Sequence, residues 1–232
     1  MRRSWPFLVY ALVAIVHLAQ ILTGVPGREV TKPLLMASLA VAVVLTAFVT
    51  DRQRVLVAPR RAAALTLLLV GIAASLAGDV LLGPSFIGGL GGFALAHVAY
   101  VLLFSTSVRR RAIPWWTLVY VVWIVALAVL LWPFLGDLQV PVVCYGAVLA
   151  LTAMTSARVN VWTTLGGLLF LLSDSMLSLQ IFEVVPIAGA QPWSDLAVML
   201  TYCAGEGLIA FGVLRALAAS GADRPLSTSG RG

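Results

Sequence analysis

Eight long apolar stretches limit what this 232-residue chain can fold into. A transmembrane helix needs about 20 mostly apolar residues, because each residue advances it by about 1.5 Å. The stretches are residues 5–24, 33–49, 62–82, 88–107, 115–134, 138–157, 161–181 and 195–217. They predict an all-α, polytopic membrane protein, a bundle of eight transmembrane helices. We expect one domain over residues 1–219 and a disordered, cytosolic tail over residues 220–232.

The composition excludes an ordinary soluble domain. Hydrophobic residues make up 61% of the chain and charged residues 10%, whereas soluble domains contain about 45–50% and about 25%. The net charge of +6 therefore indicates membrane topology and attraction to anionic lipid headgroups, not nucleic-acid binding. Cys144 and Cys203 lack metal or redox spacing and are expected to be packing residues. We expect an integral multi-pass protein, in the cell membrane if the source is bacterial.

The distribution of positive charge predicts the orientation. Cytosolic segments of membrane proteins are enriched in Lys and Arg. If the N-terminus is cytosolic, only Arg28 and Lys32 among the 15 basic residues lie on the outer side. An even number of spans then places the C-terminus in the cytosol as well.

Two of the apolar stretches each contain a lone aspartate, Asp79 and Asp174. A charge at membrane depth costs about 2.5–3.5 kcal/mol, so it indicates a functional site by default. No Lys or Arg within residues 62–82 neutralises Asp79. One functional interpretation is a catalytic pair, in which one carboxyl keeps its proton and the other is ionised, as in glycoside hydrolysis. The alternative is a pair of structural acids bonded to Ser75, Ser173 or Ser175.

Two further polar residues share the predicted depth of the aspartates. With straight helices, His97 and Glu206 lie with them within roughly 5–17 Å of the outer boundary. Four polar groups from four helices at one depth predict a pocket between helices. His97 either binds substrate or a carboxylate, or is a hydrogen-bonded core residue. Glu206 is a third pocket carboxyl, a proton relay or a structural residue.

Further candidates for substrate binding follow from helical spacing. Tyr100 is three residues after His97, and Tyr202 is one turn before Glu206, so each pair shares a helix face. Ser173, next to Asp174, completes this set. The chain has two histidines, His17 and His97, which excludes a three-histidine zinc site, so we expect no catalytic metal and no other cofactor.

Lys32 is the single lysine and lies at the predicted outer boundary. We expect Thr31 to be the N-cap of the second helix, with Pro33 in its first turn. A lysine beside a helix N-terminus would hold a phosphate well. The alternative is an interfacial anchor. The glycines of residues 88–92 and 166–167 lack the strand and turn of a phosphate loop, so we expect them to allow close helix packing.

Several of these segments recur together in a known order. They are residues 31–36, 77–82, His97 with Tyr100 and Phe104, Tyr145 with Met154 and Ala157, residues 166–175, and residues 202–209. As an ordered set they resemble the YhhN-like family of membrane lysoplasmalogenases, also called alkenylglycerophospholipid hydrolases. One position departs from the pattern, since the family's last helix more often reads Tyr-Tyr-x-x-Gln where this chain has Tyr202-Cys203-x-x-Glu206.

The resemblance implies eight spans and two aspartates needed for activity, at Asp79 and Asp174. It also implies hydrolysis of the vinyl ether of a lysoplasmalogen to a fatty aldehyde and glycerophosphocholine or glycerophosphoethanolamine. This chemistry suits carboxyl groups, because protonation of the outer alkene carbon creates an oxocarbenium ion that water captures. The deeper Asp174 is the preferred acid. The alternatives are a proton-coupled transporter or lipid carrier with carboxyl relays, and a non-catalytic lipid-binding or scaffold protein.

Overall fold

The computed structural model of the protein describes residues 5–57, 59–108, 111–184 and 191–222. Within these ranges the chain forms eight α-helices with short 3₁₀ and π segments, and no β-strand. The helices are α1 (Phe7–Thr23), α2 (Arg28–Val57), α3 (Pro59–Leu81), α4 (Phe86–Leu102), α5 (Leu118–Leu131), α6 (Gln139–Ser156), α7 (Val161–Ile181) and α8 (Trp193–Ala222). The prediction of an all-helical protein is confirmed for the part of the chain that the structure describes.

Local sequence accounts for several helix ends. Asn160 caps α7 by accepting hydrogen bonds from the backbone N–H groups of Trp162 and Thr163. Ser85 caps α4 in the same way, accepting from the N–H of Gly88. At the end of α1, Gly24 has φ of 71°, the left-handed conformation that glycine adopts at low cost.

The predicted start of the second helix was wrong. Helix α2 begins at Arg28, so Thr31 lies in its first turn instead of capping it, and Pro33 lies inside the helix. The Thr31 hydroxyl donates to Gln20 Oε1 of α1 at 2.7 Å and approaches the carbonyl of Gly27 at 3.2 Å. His17 Nδ1 lies 2.7 Å from the same hydroxyl. The Thr31 hydroxyl therefore links α1 to α2 by hydrogen bonds.

Helices that follow one another along the chain pack as antiparallel neighbours, with the exception of α4 and α5. Helix α8 also packs against α1, α2 and α3, so it occupies the interior of the bundle, whereas α5 packs mainly on α6. We call the end of the bundle that carries the connections before α2, α4, α6 and α8 the Lys32 end. The opposite end carries Arg111 and Arg158, which are joined by hydrogen bonds of 2.9 Å and 2.8 Å.

Glycines allow two helix pairs to approach closely, as the sequence predicted. A Cβ atom on Gly92 of α4 would lie 2.6 Å from the backbone N of Gly78 on α3. A Cβ atom on Gly166 of α7 would lie 2.8 Å from the carbonyl oxygen of Gly205 on α8. Small residues at such crossings let helix backbones touch in a membrane, where close packing replaces the hydrophobic effect as the driving force.

The described helices have the lengths and surfaces of membrane spans. Seven of them are long and apolar enough to cross a bilayer when α4, α5 and α6 are counted with their adjoining 3₁₀ or π segments. Helix α1 is apolar but has 17 residues. Large apolar side chains point outward all along the bundle, for example Leu12 on α1, Val122 and Val129 on α5 and Val140 on α6. The chain is therefore a multi-pass membrane protein, and the eighth span remains a prediction. Helix α8 reaches Ala222, and residues 223–232 of the predicted tail lie outside the described residues, as do Arg2, Arg3, Arg109, Arg110, Arg224 and Arg231.

Candidate active site

Two polar rungs connect α3 with α8. In the inner rung, the Ser75 hydroxyl donates to Glu206 Oε1 at 2.6 Å. In the outer rung, one turn nearer the Lys32 end, the Tyr202 hydroxyl donates to Asp79 Oδ2 at 2.8 Å. The helices are antiparallel, so four-residue steps on each helix bring the two pairs into register. Each rung joins one carboxyl to one hydroxyl, with the two groups exchanged between the helices.

The outer rung has a cation. Lys32 Nζ of α2 lies 3.3 Å from Asp79 Oδ1, and the Asp79 side chain is only 2% exposed, against 29% for Lys32. As the sequence indicated, no basic residue within residues 62–82 supplies this charge, and the cation comes from another helix. Tertiary packing of α2 against α3 and α8 brings the only lysine of the chain to Asp79.

The residues of the inner rung are buried away from solvent. Glu206 is fully buried, and its second oxygen accepts a hydrogen bond of 2.6 Å from the Tyr100 hydroxyl of α4. Ser75 and Tyr100 are fully buried as well. Glu206 thus has a hydroxyl donor on each oxygen, and no Lys or Arg in the described residues forms an ion pair with it.

Asp174 has a second set of partners on other helices. The Tyr145 hydroxyl of α6 donates a hydrogen bond to Asp174 Oδ2, and His97 Nε2 of α4 lies 3.6 Å from the same oxygen. His97 is fully buried, and its Nε2 also lies 3.3 Å from the Tyr145 hydroxyl. Its Nδ1 has no hydrogen-bond partner among the described residues. All polar contacts of the imidazole side chain are therefore directed at Asp174 and Tyr145.

A buried aromatic ring separates the two aspartate groups. Phe170 of α7 lies edge to face with His97, at 4.6 Å between ring centroids, and with Tyr202, at 5.5 Å. One phenyl ring thus contacts a partner of Asp174 and a partner of Asp79. The two aspartate groups are thus neighbours across Phe170, and no hydrogen bond joins the two carboxyls.

A cavity of about 660 Å³ opens at the Lys32 end. Its charged lining residues are Glu29, Lys32 and Asp79, and the remainder are apolar or small: Pro33, Val80, Leu82, Gly83, Phe86, Leu177 and Ile181. Asp174 is three residues before Leu177 and seven before Ile181, so it lies on the cavity-facing side of α7, one turn deeper. Leu177 thus brings the lining of the cavity within one helical turn of Asp174 along α7.

The serines considered as partners of the aspartates contact other groups. Ser173 is buried and donates to the carbonyl of Val198 on α8 at 3.1 Å, so it contacts a helix backbone and not an aspartate. The hydroxyl of Ser175 accepts from Trp123 Nε1 at 3.0 Å. Of the three serines considered as partners of the aspartates, none forms a hydrogen bond to Asp79 or Asp174 in the described structure.

Tyr145 was not among the residues predicted for the candidate site, although it belongs to the segments that carry the family resemblance. Its partners, His97 and Asp174, belong to α4 and α7, and spacing along one helix cannot reveal such a contact. The available signal was the place of Tyr145 among the segments that resemble the YhhN-like family. Among the described residues, no group of three or more His, Cys, Asp or Glu side chains is arranged to hold a metal ion.

Comparisons with known proteins point to one family. The model of the YhhN family matches residues 27–213, which include every residue of both aspartate groups. A protein from Mycobacterium bovis, named lysoplasmalogenase, is 30% identical over 224 residues, which cover 87% of this chain and 81% of that protein. A lysoplasmalogenase from Mycobacterium tuberculosis matches to the same extent. No solved structure matches the chain significantly.

Proposed function

Because the chain belongs to the YhhN family, we propose that it is a membrane-embedded lysoplasmalogenase. Its substrate is a lysolipid with one alkenyl chain, and its products are a fatty aldehyde and a glycerophosphodiester. The similarity to two mycobacterial lysoplasmalogenases supports the reaction. The observation that carries the proposal is the cavity whose lining combines Lys32, Asp79 and Glu29 with apolar side chains.

The shape of the cavity suits a lysolipid. A polar headgroup would lie near Lys32, whose ammonium can donate to a phosphate while it remains beside Asp79. The single hydrocarbon chain would contact the apolar residues of α3 and α7, such as Val80 and Leu177. The vinyl ether lies between headgroup and chain, so this orientation brings it to the depth of the aspartates.

Hydrolysis needs one proton donor and one carboxylate. A carboxylic acid protonates the outer alkene carbon, the C=C π electrons form the new C–H bond, and the cation is shared between the inner carbon and the ether oxygen. Water adds to that carbon and gives its proton to a carboxylate. The resulting hemiacetal breaks its C–O bond to release aldehyde and glycerol hydroxyl. No step requires a nucleophilic serine or cysteine.

The surroundings of the two aspartates suggest which one is the proton donor and which one is the carboxylate. Asp79 has a permanent counterion in Lys32, so its anionic form is compensated and suits stabilisation of the oxocarbenium ion. Asp174 lies next to Tyr145 and His97, two groups that can exchange a proton with it. We therefore assign Asp174 as the acid and Asp79 as the stabilising carboxylate, with His97 and Tyr145 orienting Asp174. Lys32, Tyr100, Ser173, Tyr202 and Glu206 support the pocket or its substrate.

The proposal includes the orientation of the protein in the membrane. With both termini cytosolic, the Lys32 end faces outward and the cavity opens in the outer half of the bilayer. Single cysteines placed at exposed Asp137 and at exposed Arg60, in a chain with Cys144 and Cys203 replaced by Ala, would report it. We expect an impermeant thiol reagent to label position 137 in intact cells and position 60 only after lysis. The reverse pattern would contradict the orientation.

The decisive experiment measures aldehyde release from an alkenyl lysolipid by the purified protein in lipid nanodiscs. We expect release that a chelator does not prevent, and its loss in Asp79→Asn and Asp174→Asn. Asp137→Asn, on an exposed residue away from the cavity, is the matched control and should keep full activity. Intact, folded protein that releases no aldehyde would contradict the proposal, and proton-coupled uptake by vesicles would then favour a transporter.

A further inference from the structure

The charged residues at the start of α2 differ in whether they have a partner. Arg28 pairs with Asp195 of α8 at 3.7 Å, and Lys32 pairs with Asp79 at 3.3 Å. Glu29 lines the cavity, yet its side chain forms no ion pair or hydrogen bond with any described residue. It is an exposed carboxylate at the rim of an otherwise mostly apolar cavity.

The charge balance of the cavity favours a ligand with a positive group. Its charged lining consists of two carboxyls, Glu29 and Asp79, and one ammonium, Lys32. Because Lys32 already compensates Asp79, Glu29 is the charge without a counterion. A ligand with only a phosphate would bring a second negative charge toward Glu29, whereas a zwitterionic headgroup would compensate it.

Helix geometry sets the distance between the two headgroup contacts. Glu29 and Lys32 are three residues apart on α2, so they are neighbours on one face with Cβ atoms about 5–6 Å apart. This spacing is comparable to that of a phosphate joined to an amine by a two-carbon linker. A phosphate at Lys32 therefore brings such an amine within reach of Glu29.

We propose that Glu29 determines headgroup specificity by binding the cationic amine of a zwitterionic lysolipid whose phosphate is held by Lys32. This inference rests on the proposed function for the identity of the lipid. This role is separate from catalysis, since Glu29 forms no ion pair or hydrogen bond with Asp79 or Asp174. An exposed ion pair contributes little free energy, so the effect is a bias between headgroups and not an absolute requirement.

The test compares headgroups with and without an amine. Saturated ether lysolipids, which lack the alkene, serve as probes with an ethanolamine, choline or glycerol group on the phosphate. We expect Glu29→Gln to weaken binding of the ethanolamine and choline probes about three- to fivefold and to leave the glycerol probe unchanged. Glu29→Lys should reverse the preference, and Glu29→Asp should retain part of it. Asp137→Asn is the matched loss of an exposed carboxylate and should change nothing.

Because these probes are not hydrolysed, the result does not depend on turnover. Equal affinities of Glu29→Gln and the unchanged protein for all three probes would overturn the inference, as would an equal loss for all three. Aldehyde release from the corresponding alkenyl lysolipids should follow the same order through KM, with kcat unaltered. Failure of the unchanged protein to release aldehyde from any headgroup would instead contradict the proposed function, while the binding data still decide the role of Glu29.

Discussion

The two rungs between α3 and α8 contain the same chemical groups in different surroundings. Asp79 and Tyr202 form the outer rung, and Ser75 and Glu206 form the inner rung. The outer carboxyl lines the cavity and has a cation at 3.3 Å. The inner carboxyl lies outside the lining of the cavity, is fully buried and has two hydroxyl donors at 2.6 Å.

Burial alone therefore does not identify a reacting carboxyl in a membrane protein. Removal from water costs free energy for both acids. An ion pair compensates this cost for Asp79, and two hydroxyl groups compensate it for Glu206. What differs is access, because a lipid in the cavity can reach Asp79 but not Glu206. We therefore expect the outer rung to control activity and the inner rung to control stability.

The largest effect is expected for Asp79→Asn, which removes the charge of the outer rung and keeps its size. Loss of the carboxylate leaves the oxocarbenium ion without stabilisation, so kcat should fall by about a thousandfold. The measurement is aldehyde release at saturating alkenyl lysolipid, with elution volume from a sizing column as the control for folding. A folded variant that retained more than a tenth of the activity would place the reacting carboxylate elsewhere.

A smaller effect is expected when the counterion is removed. Lys32→Met keeps most of the side-chain length but leaves Asp79 buried without its cation and the phosphate without a donor. We expect kcat/KM to fall by about ten- to a hundredfold, and Lys32→Arg to restore most of it. Arg28→Met, which removes a neighbouring cation that pairs with Asp195, is the matched control. Equal losses in both variants would indicate a general charge effect at this end of the bundle.

Tyr202→Phe isolates the hydroxyl of the outer rung. The phenyl ring keeps its edge-to-face contacts with Phe93 and Phe170, while Asp79 loses the donor at 2.8 Å. A net hydrogen bond to a charged group contributes about 1.5–3 kcal/mol, so kcat should fall by at least about tenfold. Tyr10→Phe, which removes a buried hydroxyl bonded to the carbonyl of Cys203, is the comparison. If both variants lose activity equally, the hydroxyl of Tyr202 acts through packing of α8.

Much of this arrangement could be predicted from the sequence, because membrane helices are encoded locally. Apolar length identified the spans, and the lone polar residues within them identified Asp79, Asp174, His97 and Glu206 as unusual. Depth along each helix placed them in one band of the bundle. Comparison with the YhhN family then confirmed the resemblance that residues 31–36 and 166–175 carry.

The pairing of these residues could not be predicted, because it depends on how helices pack around α8. Spacing on one helix relates Tyr202 to Glu206, yet their carboxyl and hydroxyl partners are on α3 and α4. The place of Lys32 near a helix end predicted either a phosphate contact or an interfacial anchor. Its approach to Asp79 follows from contacts between α2 and α3 that no local pattern encodes. Tyr145 was missed for the same reason.

The smallest effect on activity is expected for Glu206→Gln, and it tests the inner rung directly. A glutamine carbonyl can accept from one of Ser75 and Tyr100, and its amide can donate to the other, so both hydroxyls keep a partner. We expect activity within about threefold of the unchanged protein and a loss of stability below about 1 kcal/mol.

Glu206→Leu supplies the contrast, because it leaves two fully buried hydroxyls without their partner. Each buried polar group left unsatisfied costs about 1–3 kcal/mol, so the thermal unfolding temperature in nanodiscs should drop clearly for this variant and hardly for Glu206→Gln. If Glu206→Gln instead lost activity as fully as Asp79→Asn while its unfolding temperature stayed unchanged, the ionisable proton of the inner rung would take part in catalysis. The two rungs would then differ in their part in proton transfer and not in their access to the cavity.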